Sequence, residues 1–154
     1  MRALDARRIV YTANTYHGAA EFHSAEEAAA LLGAAPHRVY KTLVVLRETP
    51  GRPLLVMAPS HRQVGLRVLA RSLGEKKLRM ATQREAERLT GLKVGAISAL
   101  ALLNKPFDVV LDEPARLLDR IHVSAGQRGV DLELRVEDLV AVTGARFAVA
   151  TVEP

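Results

Sequence analysis

The sequence places a lysine, Lys41, at the head of an apolar run that covers residues 41–45. A charged amine in that position either serves a site or extends along its methylene stem to reach water. Lysines at strand ends also protect exposed sheet edges from pairing with other chains. From these surroundings alone the edge-protecting role is favoured, and a role in binding or catalysis is the alternative.

Two glycine-containing segments are the other candidates for a site. Residues 94–98 are predicted to form a loop around Gly95, and residues 124–129 a turn that begins at Ser124. A glycine adopts backbone conformations that other residues avoid, which serves a tight turn or a close approach of the backbone to a ligand. Taken alone, the second segment predicts only a hairpin turn.

The motifs of the common catalytic machines are absent from the sequence. Its five histidines lack the helical spacing that gathers metal ligands. There is no Gly-x-Ser-x-Gly elbow, phosphate-binding loop or dinucleotide fingerprint. Without cysteine there is no thiolate nucleophile, disulfide or cysteine-based metal site. The sequence therefore predicts neither a bound metal nor a cofactor.

Charge and length indicate the class of protein and of partner. The 154 residues fit a single domain, residues 1–154. The net charge of +5 and the pI near 10.0 favour a polyanionic partner. Residues 62–93 hold nine basic residues against three acidic ones, which suits either nucleic-acid contact or a solvated helical face. No apolar run is long enough to span a membrane and no secretion signal is visible, so a cytoplasmic location is expected.

The pattern of apolar residues and turn signals predicts the elements that would position these candidates. Strands are expected over residues 10–16, 39–46, 54–57, 77–80, 109–111, 121–124, 130–134 and 147–152. Helices are expected from a capping box at Ser24 to Gly33, over residues 66–73, from a second capping box at Thr82 to Gly91, and over residues 136–143. The result is one mixed α/β domain whose sheet is largely antiparallel.

Four segments in order resemble a known family. Residues 39–44, 69–77, 90–98 and 123–134 are similar to the YbaK/ProX-like trans-editing aminoacyl-tRNA deacylases, relatives of the editing domain inserted in some prolyl-tRNA synthetases. The resemblance covers residues 14–150. It implies a barrel-like mixed sheet with flanking helices.

The resemblance also implies roles for individual residues. Lys41 corresponds to the family's invariant lysine, which contacts the aminoacyl or terminal-adenosine end of the tRNA, and Gly95 to the glycine of the substrate loop. The substrate-binding positions that it implies are Tyr16, Phe22, Thr42, Ala96, Ile97, Ser98, Ser124 and Asp131. The family's loop reads Gly-Gly-x-Ser-Pro, whereas this one reads Gly-Ala-Ile-Ser-Ala over residues 95–99. Loop shape and amino-acid selectivity are the properties that this departure would change.

The activity implied is hydrolysis of Cys-tRNA(Pro), with Ala-tRNA(Pro) as the second substrate and prolyl-tRNA synthetase as a partner. The residues expected to contact the tRNA backbone are Arg67, Arg71, Lys76 and Lys77. A non-catalytic tRNA- or RNA-binding or regulatory module on the same fold is the alternative. A hydrolase for small free esters is the third hypothesis.

Overall fold

The structure is a computed structural model that describes residues 1–16 and 25–153. The helices in these residues are α1 (Arg2–Ala6), α2 (Ala25–Leu32), α3 (Leu66–Leu73), α4 (Gln83–Thr90) and α5 (Val136–Thr143). The strands are β1 (Tyr11–Thr15), β2 (Tyr40–Arg47), β3 (Leu54–Pro59), β4 (Gln63–Val64), β5 (Leu78–Met80), β6 (Asp108–Asp112), β7 (Arg120–Ser124), β8 (Val130–Arg135), β9 (Arg146–Ala148) and β10 (Thr151–Val152). The predicted mixed α/β class is confirmed.

The largest sheet has five strands in the order β5-β2-β3-β6-β9. The predicted antiparallel pair is present as β2 against β3, with Lys41 opposite Ala58. The sequence did not indicate that β3 pairs with β6 in parallel, or β6 with β9. All six residues of β3 are buried, as expected for a central strand covered on both faces.

A second sheet packs against the first and brings the hairpin around Ser124 to the edge of β2. It has the order β1-β8-β7, and both of its pairs are antiparallel. A single parallel bridge between Val39 and His122 joins β7 to the residue before β2. None of the three sheets among the described residues closes on itself, so the barrel-like form implied by the resemblance is not confirmed.

Apolar residues bury both faces of the five-stranded sheet. One core lies towards the three-stranded sheet and includes Val44 and Met57. The other lies towards α3 and includes Val45 and Leu69. Successive side chains of a strand point to opposite faces, so the neighbouring residues Val44 and Val45 pack into different cores.

The segment between α3 and the substrate loop begins and ends at well-defined caps. The capping box predicted at Thr82 is confirmed: its hydroxyl accepts from the Glu85 N–H at 3.1 Å, and the Glu85 carboxylate accepts from the Thr82 N–H at 3.0 Å. Helices α3 and α4 are followed by the C-cap glycines Gly74 and Gly91, both in the left-handed conformation. Ser24, the other predicted cap, lies outside the described residues.

Candidate active site

A pocket of about 390 Å³ opens at the edge of β2, within the usual size range for small-ligand sites. Strand β5 pairs with β2 only from Val45 to Arg47. The bridge from β7 is made by Val39, the residue just before β2. The stretch of β2 between these two contacts lines the pocket, together with the loop at Gly95 and the hairpin at Ser124. Three segments far apart in the sequence therefore meet there.

The side chain of Lys41 is directed at a backbone carbonyl and is not extended into water. Its Nζ donates to the carbonyl oxygen of Arg62 at 2.6 Å. Burial lowers the pKa of the Lys41 amine, and the negative charge of Glu26 opposes part of that effect. An ammonium group has three N–H donors, so this hydrogen bond leaves two for other acceptors.

A buried network holds the carbonyl that Lys41 contacts. The Arg62 Nε donates to the Thr151 hydroxyl at 2.8 Å, and that hydroxyl donates to the Asp112 carboxylate at 2.6 Å. The other carboxylate oxygen of Asp112 accepts from the Ala150 N–H at 2.8 Å. Asp112 is only 1% exposed, so the network is shielded from water and fixes the Arg62 segment beside the pocket.

Gly95 lies in a tight turn at the opposite wall. The Ala96 N–H donates to the Lys93 carbonyl at 2.9 Å, and Gly95 has φ 92°. A positive φ at the third of four residues is what a type II turn requires, which explains the glycine. No group among the described residues accepts a hydrogen bond from the Gly95 N–H.

The hairpin supplies a carboxylate with a fixed orientation. Asp131 lies opposite Ser124 in the β7–β8 pair, and both line the pocket beside Tyr16. His122 Nδ1 lies 2.6 Å from the Asp131 carboxylate, and its Nε2 lies 3.5 Å from that of Glu133. The hydrogen bond to Asp131 raises the pKa of His122, burial lowers it, and the charges of Asp131 and Glu133 raise it further.

Two hydroxyls on the β2 wall have no hydrogen-bond partner among the described residues. They are Tyr40 Oη and Thr42 Oγ1, on side chains that are 2% and 9% exposed. Burial, followed by the charge of Asp112, strongly raises the pKa of Tyr40, so its hydroxyl stays protonated. A buried hydroxyl without a partner costs about 1–3 kcal/mol, which a ligand in the pocket could recover.

Comparison with known families shows to which family this chain belongs. Residues 19–142 match the aminoacyl-tRNA editing domain family. The chain belongs to that family. It is therefore an editing domain, and its class of activity is deacylation of aminoacyl-tRNA.

Similar proteins agree with membership in the editing-domain family. EbsC of Enterococcus faecalis (strain ATCC 700802 / V583), provisionally assigned as a Cys-tRNA(Pro)/Cys-tRNA(Cys) deacylase, is 32% identical over 151 residues, which cover 98% of this chain and 91% of EbsC. The crystal structure of hypothetical protein APE2540 superposes with a TM-score of 0.86 at 26% identity, covering 98% of this chain and 97% of that one. A provisionally assigned trans-editing enzyme for prolyl-tRNA synthetase has a TM-score of 0.79 at 25% identity, covering 98% and 93%.

The editing domain's pocket brings together most of the residues expected from the sequence. Seven of them line it, namely Tyr16, Lys41, Thr42, Gly95, Ile97, Ser124 and Asp131. Ala96 and Ser98 are buried, at 3% and 2% exposure, and are not among the lining residues. Phe22 lies outside the described residues.

Three residues at or beside the pocket were not anticipated. In the sequence Tyr40 is only one residue of the segment 39–44 that resembles the family, and nothing there shows that its hydroxyl would be buried without a partner among the described residues. His122 is one of the five histidines that lack metal-ligand spacing, but its alternation with Ser124 along one strand places both on one face. Arg128 lies in the predicted turn at residues 124–129, and its guanidinium contacts the Gly95 loop.

The basic residues expected to contact tRNA lie away from the pocket. Arg67 and Arg71 are exposed on α3, which covers the face of the five-stranded sheet opposite the core beside the pocket. Lys77 is exposed just before β5, whose last residue, Met80, lines the pocket. At about 3.3 Å per residue, Lys77 is about 10 Å along the strand from the pocket wall.

Proposed function

We propose that this editing domain hydrolyses mischarged tRNA(Pro), with Cys-tRNA(Pro) as its first substrate and Ala-tRNA(Pro) as its second. The proposal rests on one observation: Lys41, Gly95 and Asp131, from three distant segments, line one mostly apolar pocket. The relative provisionally assigned as a Cys-tRNA(Pro)/Cys-tRNA(Cys) deacylase supports the choice of cysteine. We place the reaction in the cytoplasm, where the charged tRNA is used.

An aminoacyl ester is already activated, so the enzyme needs no nucleophile of its own. Water adds to the ester carbonyl carbon, the carbonyl oxygen takes the negative charge, and collapse releases the amino acid and the tRNA ribose hydroxyl. For cysteine the attacking group is instead the substrate's own thiol. It displaces the ribose oxygen to give a cyclic thioester, which water then opens.

We assign the Gly95 N–H as the donor to the oxygen that becomes negative. Gly95 lines the pocket, and no described group accepts a hydrogen bond from its N–H. One such donor is worth about 3 kcal/mol in the transition state, a factor of 10² to 10³ in rate. Holding the ester close to the attacking atom contributes as well, since orientation replaces a random encounter.

Lys41 anchors the acceptor end of the tRNA. Its Nζ is held by the Arg62 carbonyl, and its two other donors are available to the terminal nucleotide. A positive charge in a partly desolvated position attracts the phosphates and ribose oxygens of that nucleotide more strongly than one in water. We assign the Thr42 hydroxyl, which has no partner among the described residues, to the same ligand.

Apolar walls that include Ala81, Ala86 and Ile97 favour a small side chain. Such a pocket separates side chains by about 1–3 kcal/mol for each methylene-sized difference. Alanine therefore competes with cysteine unless the thiol itself takes part in the reaction. This is why both substrates are retained, with cysteine first.

The body of the tRNA is proposed to contact Lys76 and Lys77, and also Arg67 and Arg71 on α3. None of Arg67, Arg71 and Lys76 forms an ion pair with a residue that the structure describes. Their contact with phosphates predicts binding that weakens steeply with salt. Prolyl-tRNA synthetase is the proposed partner, because it produces the mischarged species.

The test is release of amino acid from Cys-tRNA(Pro), Ala-tRNA(Pro) and Pro-tRNA(Pro) by the intact chain. We expect release from a mischarged species, sparing of Pro-tRNA(Pro), and loss of activity in Lys41→Ala. The matched control is Lys105→Ala, since the Lys105 amine also donates to a backbone carbonyl, that of Thr90 at 3.3 Å. Full activity of Lys41→Ala would refute its assignment.

No release from any species, with tRNA still bound, would favour the non-catalytic binding module. Hydrolysis of small esters without tRNA, and without salt dependence, would favour the third hypothesis. The three readings therefore give different results in the same set of assays.

A further inference from the structure

Two side chains hold the two peptide groups that meet at Val94, the residue before Gly95. Glu87 contacts the Lys93–Val94 peptide, and Arg128 contacts the Val94–Gly95 peptide. The Val94 N–H donates to the Glu87 carboxylate at 2.9 Å. The Val94 carbonyl accepts from Arg128 Nε at 3.0 Å and from Arg128 Nη2 at 2.8 Å. We refer to Glu87 and Arg128 as the Val94 clamp.

The clamp joins three parts of the fold. Glu87 is on α4, Val94 is in the substrate loop, and Arg128 is in the hairpin turn after β7. Arg128 and Val94 are 34 residues apart in the sequence. The hydrogen bonds therefore fix the loop to both neighbouring walls of the pocket.

The orientation of the Val94 carbonyl determines the orientation of the Gly95 N–H. The two groups belong to one planar trans peptide, in which C=O and N–H point in opposite directions. By holding the carbonyl with two N–H donors, Arg128 turns the Gly95 N–H away from itself. In a type II turn this central peptide stands across the plane of the turn and has no hydrogen bond within it.

We propose that Arg128 and Glu87 are positioning residues that aim the Gly95 N–H at the reacting carbonyl oxygen. This inference rests on the proposed function, because it names what holds that function's oxyanion donor in place. Neither side chain needs to touch the substrate. A preorganised donor stabilises the transition state without any reorganisation during the reaction.

The first test is the Arg128→Met variant, which keeps an apolar stem and removes both donors. We expect kcat for deacylation to fall about 100-fold, as for loss of an oxyanion donor. The KM for aminoacyl-tRNA and the salt dependence of binding should stay near those of the wild type. The matched control is Arg135→Met, which removes an exposed arginine that pairs with Glu137.

The opposite result would identify Arg128 as a phosphate contact. In that case KM rises, kcat is unchanged, and the slope of log affinity against log salt decreases by about one. That pattern would overturn the proposal.

Glu87 offers a test by conservative rescue. Its role here is to accept one hydrogen bond, so Glu87→Gln keeps the acceptor and Glu87→Met removes it. We expect Gln to stay within about threefold of wild-type kcat, since a neutral hydrogen bond is only moderately weaker than a charged one. Equal losses in the two variants would contradict the role.

A measurement without substrate separates failure of the clamp from failure of the proposed function. Amide hydrogen exchange reports on the Val94 N–H and the Ala96 N–H, which are both hydrogen-bonded. We expect both to exchange faster in Arg128→Met than in Arg135→Met. Unchanged exchange would overturn the clamp even in an active enzyme, whereas faster exchange in a chain that releases no amino acid would refute only the proposed function.

Discussion

A double-mutant cycle between Gly95→Ala and Arg128→Met tests the physical basis of the substrate loop. At the φ of 92° that Gly95 adopts, a side chain is strained, at a cost of about 1–2 kcal/mol. The chain can relieve this strain by flipping the Val94–Gly95 peptide, which converts a type II turn into type I and gives residue 95 a negative φ.

In the wild-type background, the flip is opposed by the two hydrogen bonds from Arg128 to the Val94 carbonyl. Hydrogen bonds to a charged group contribute about 1.5–3 kcal/mol, which is at least as large as the strain. The clamped turn should therefore keep its shape, and Gly95→Ala should lower the free energy of unfolding by about 1–2 kcal/mol. Without Arg128 the turn can flip, and the same substitution should cost about 1 kcal/mol less.

The assay is urea unfolding of the wild type, both single variants and the double variant. The matched control replaces Gly95→Ala with Gly74→Ala, since Gly74 has φ 72° and a Cβ there meets nothing within 4 Å. The Gly74 pair should be additive, because Gly74 caps α3 away from the clamp. Additivity of the Gly95 pair to within about 0.5 kcal/mol would refute the reasoning.

Three further predictions concern the walls of the pocket. Since Asp131 raises the pKa of His122, the stabilisation from their pair is complete below the unfolded pKa of about 6.5 and is lost as pH rises through the folded pKa. The free energy of unfolding of wild type and of His122→Gln is measured by urea titration at pH 6 to 9. The difference between the two should shrink as pH increases, and a difference that grows would contradict the assignment. Thr42→Val removes a hydroxyl with no described partner, so the melting temperature should not fall. The KM for aminoacyl-tRNA should rise. A large loss of stability would instead show that the hydroxyl has a structural role. Asp112→Ala leaves the Thr151 hydroxyl and the Ala150 N–H without their acceptor. The free energy of unfolding should therefore fall by about 3 kcal/mol. A loss below about 1 kcal/mol would mean that water replaces the carboxylate.

The fold could be predicted from the sequence where the pattern is local. The capping box at Thr82 and the antiparallel pair of β2 and β3 follow from neighbouring residues, and both are confirmed. The parallel pairs of β6 could not be predicted, because parallel strands are joined by long connections that carry no pairing signal. The predicted strand over residues 147–152 is divided into β9 and β10, which pair in different sheets.

Much of the candidate site was accessible from residue types and the family resemblance, whereas its supporting contacts were not. Lys41 and Gly95 stand out as a charge beside an apolar strand and a glycine in a loop. The contacts that hold them run through the Arg62 carbonyl and through the N–H and C=O of Val94, and these backbone groups are present whatever the residue type. Contacts of this kind become visible only when distant segments are placed together.

The same reasoning bears on the two alanines that distinguish this substrate loop from the family's pattern. Ala96 and Ala99 are 3% and 4% exposed, so their methyl groups pack beneath the loop. The turn is held by the hydrogen bond from the Ala96 N–H to the Lys93 carbonyl and by the hydrogen bonds of Glu87 and Arg128 to Val94. None of these hydrogen bonds uses a side chain from residues 96–99. The two alanines therefore affect the packing under the turn, whereas the conformation of Gly95 depends on the contacts of Glu87 and Arg128 with Val94.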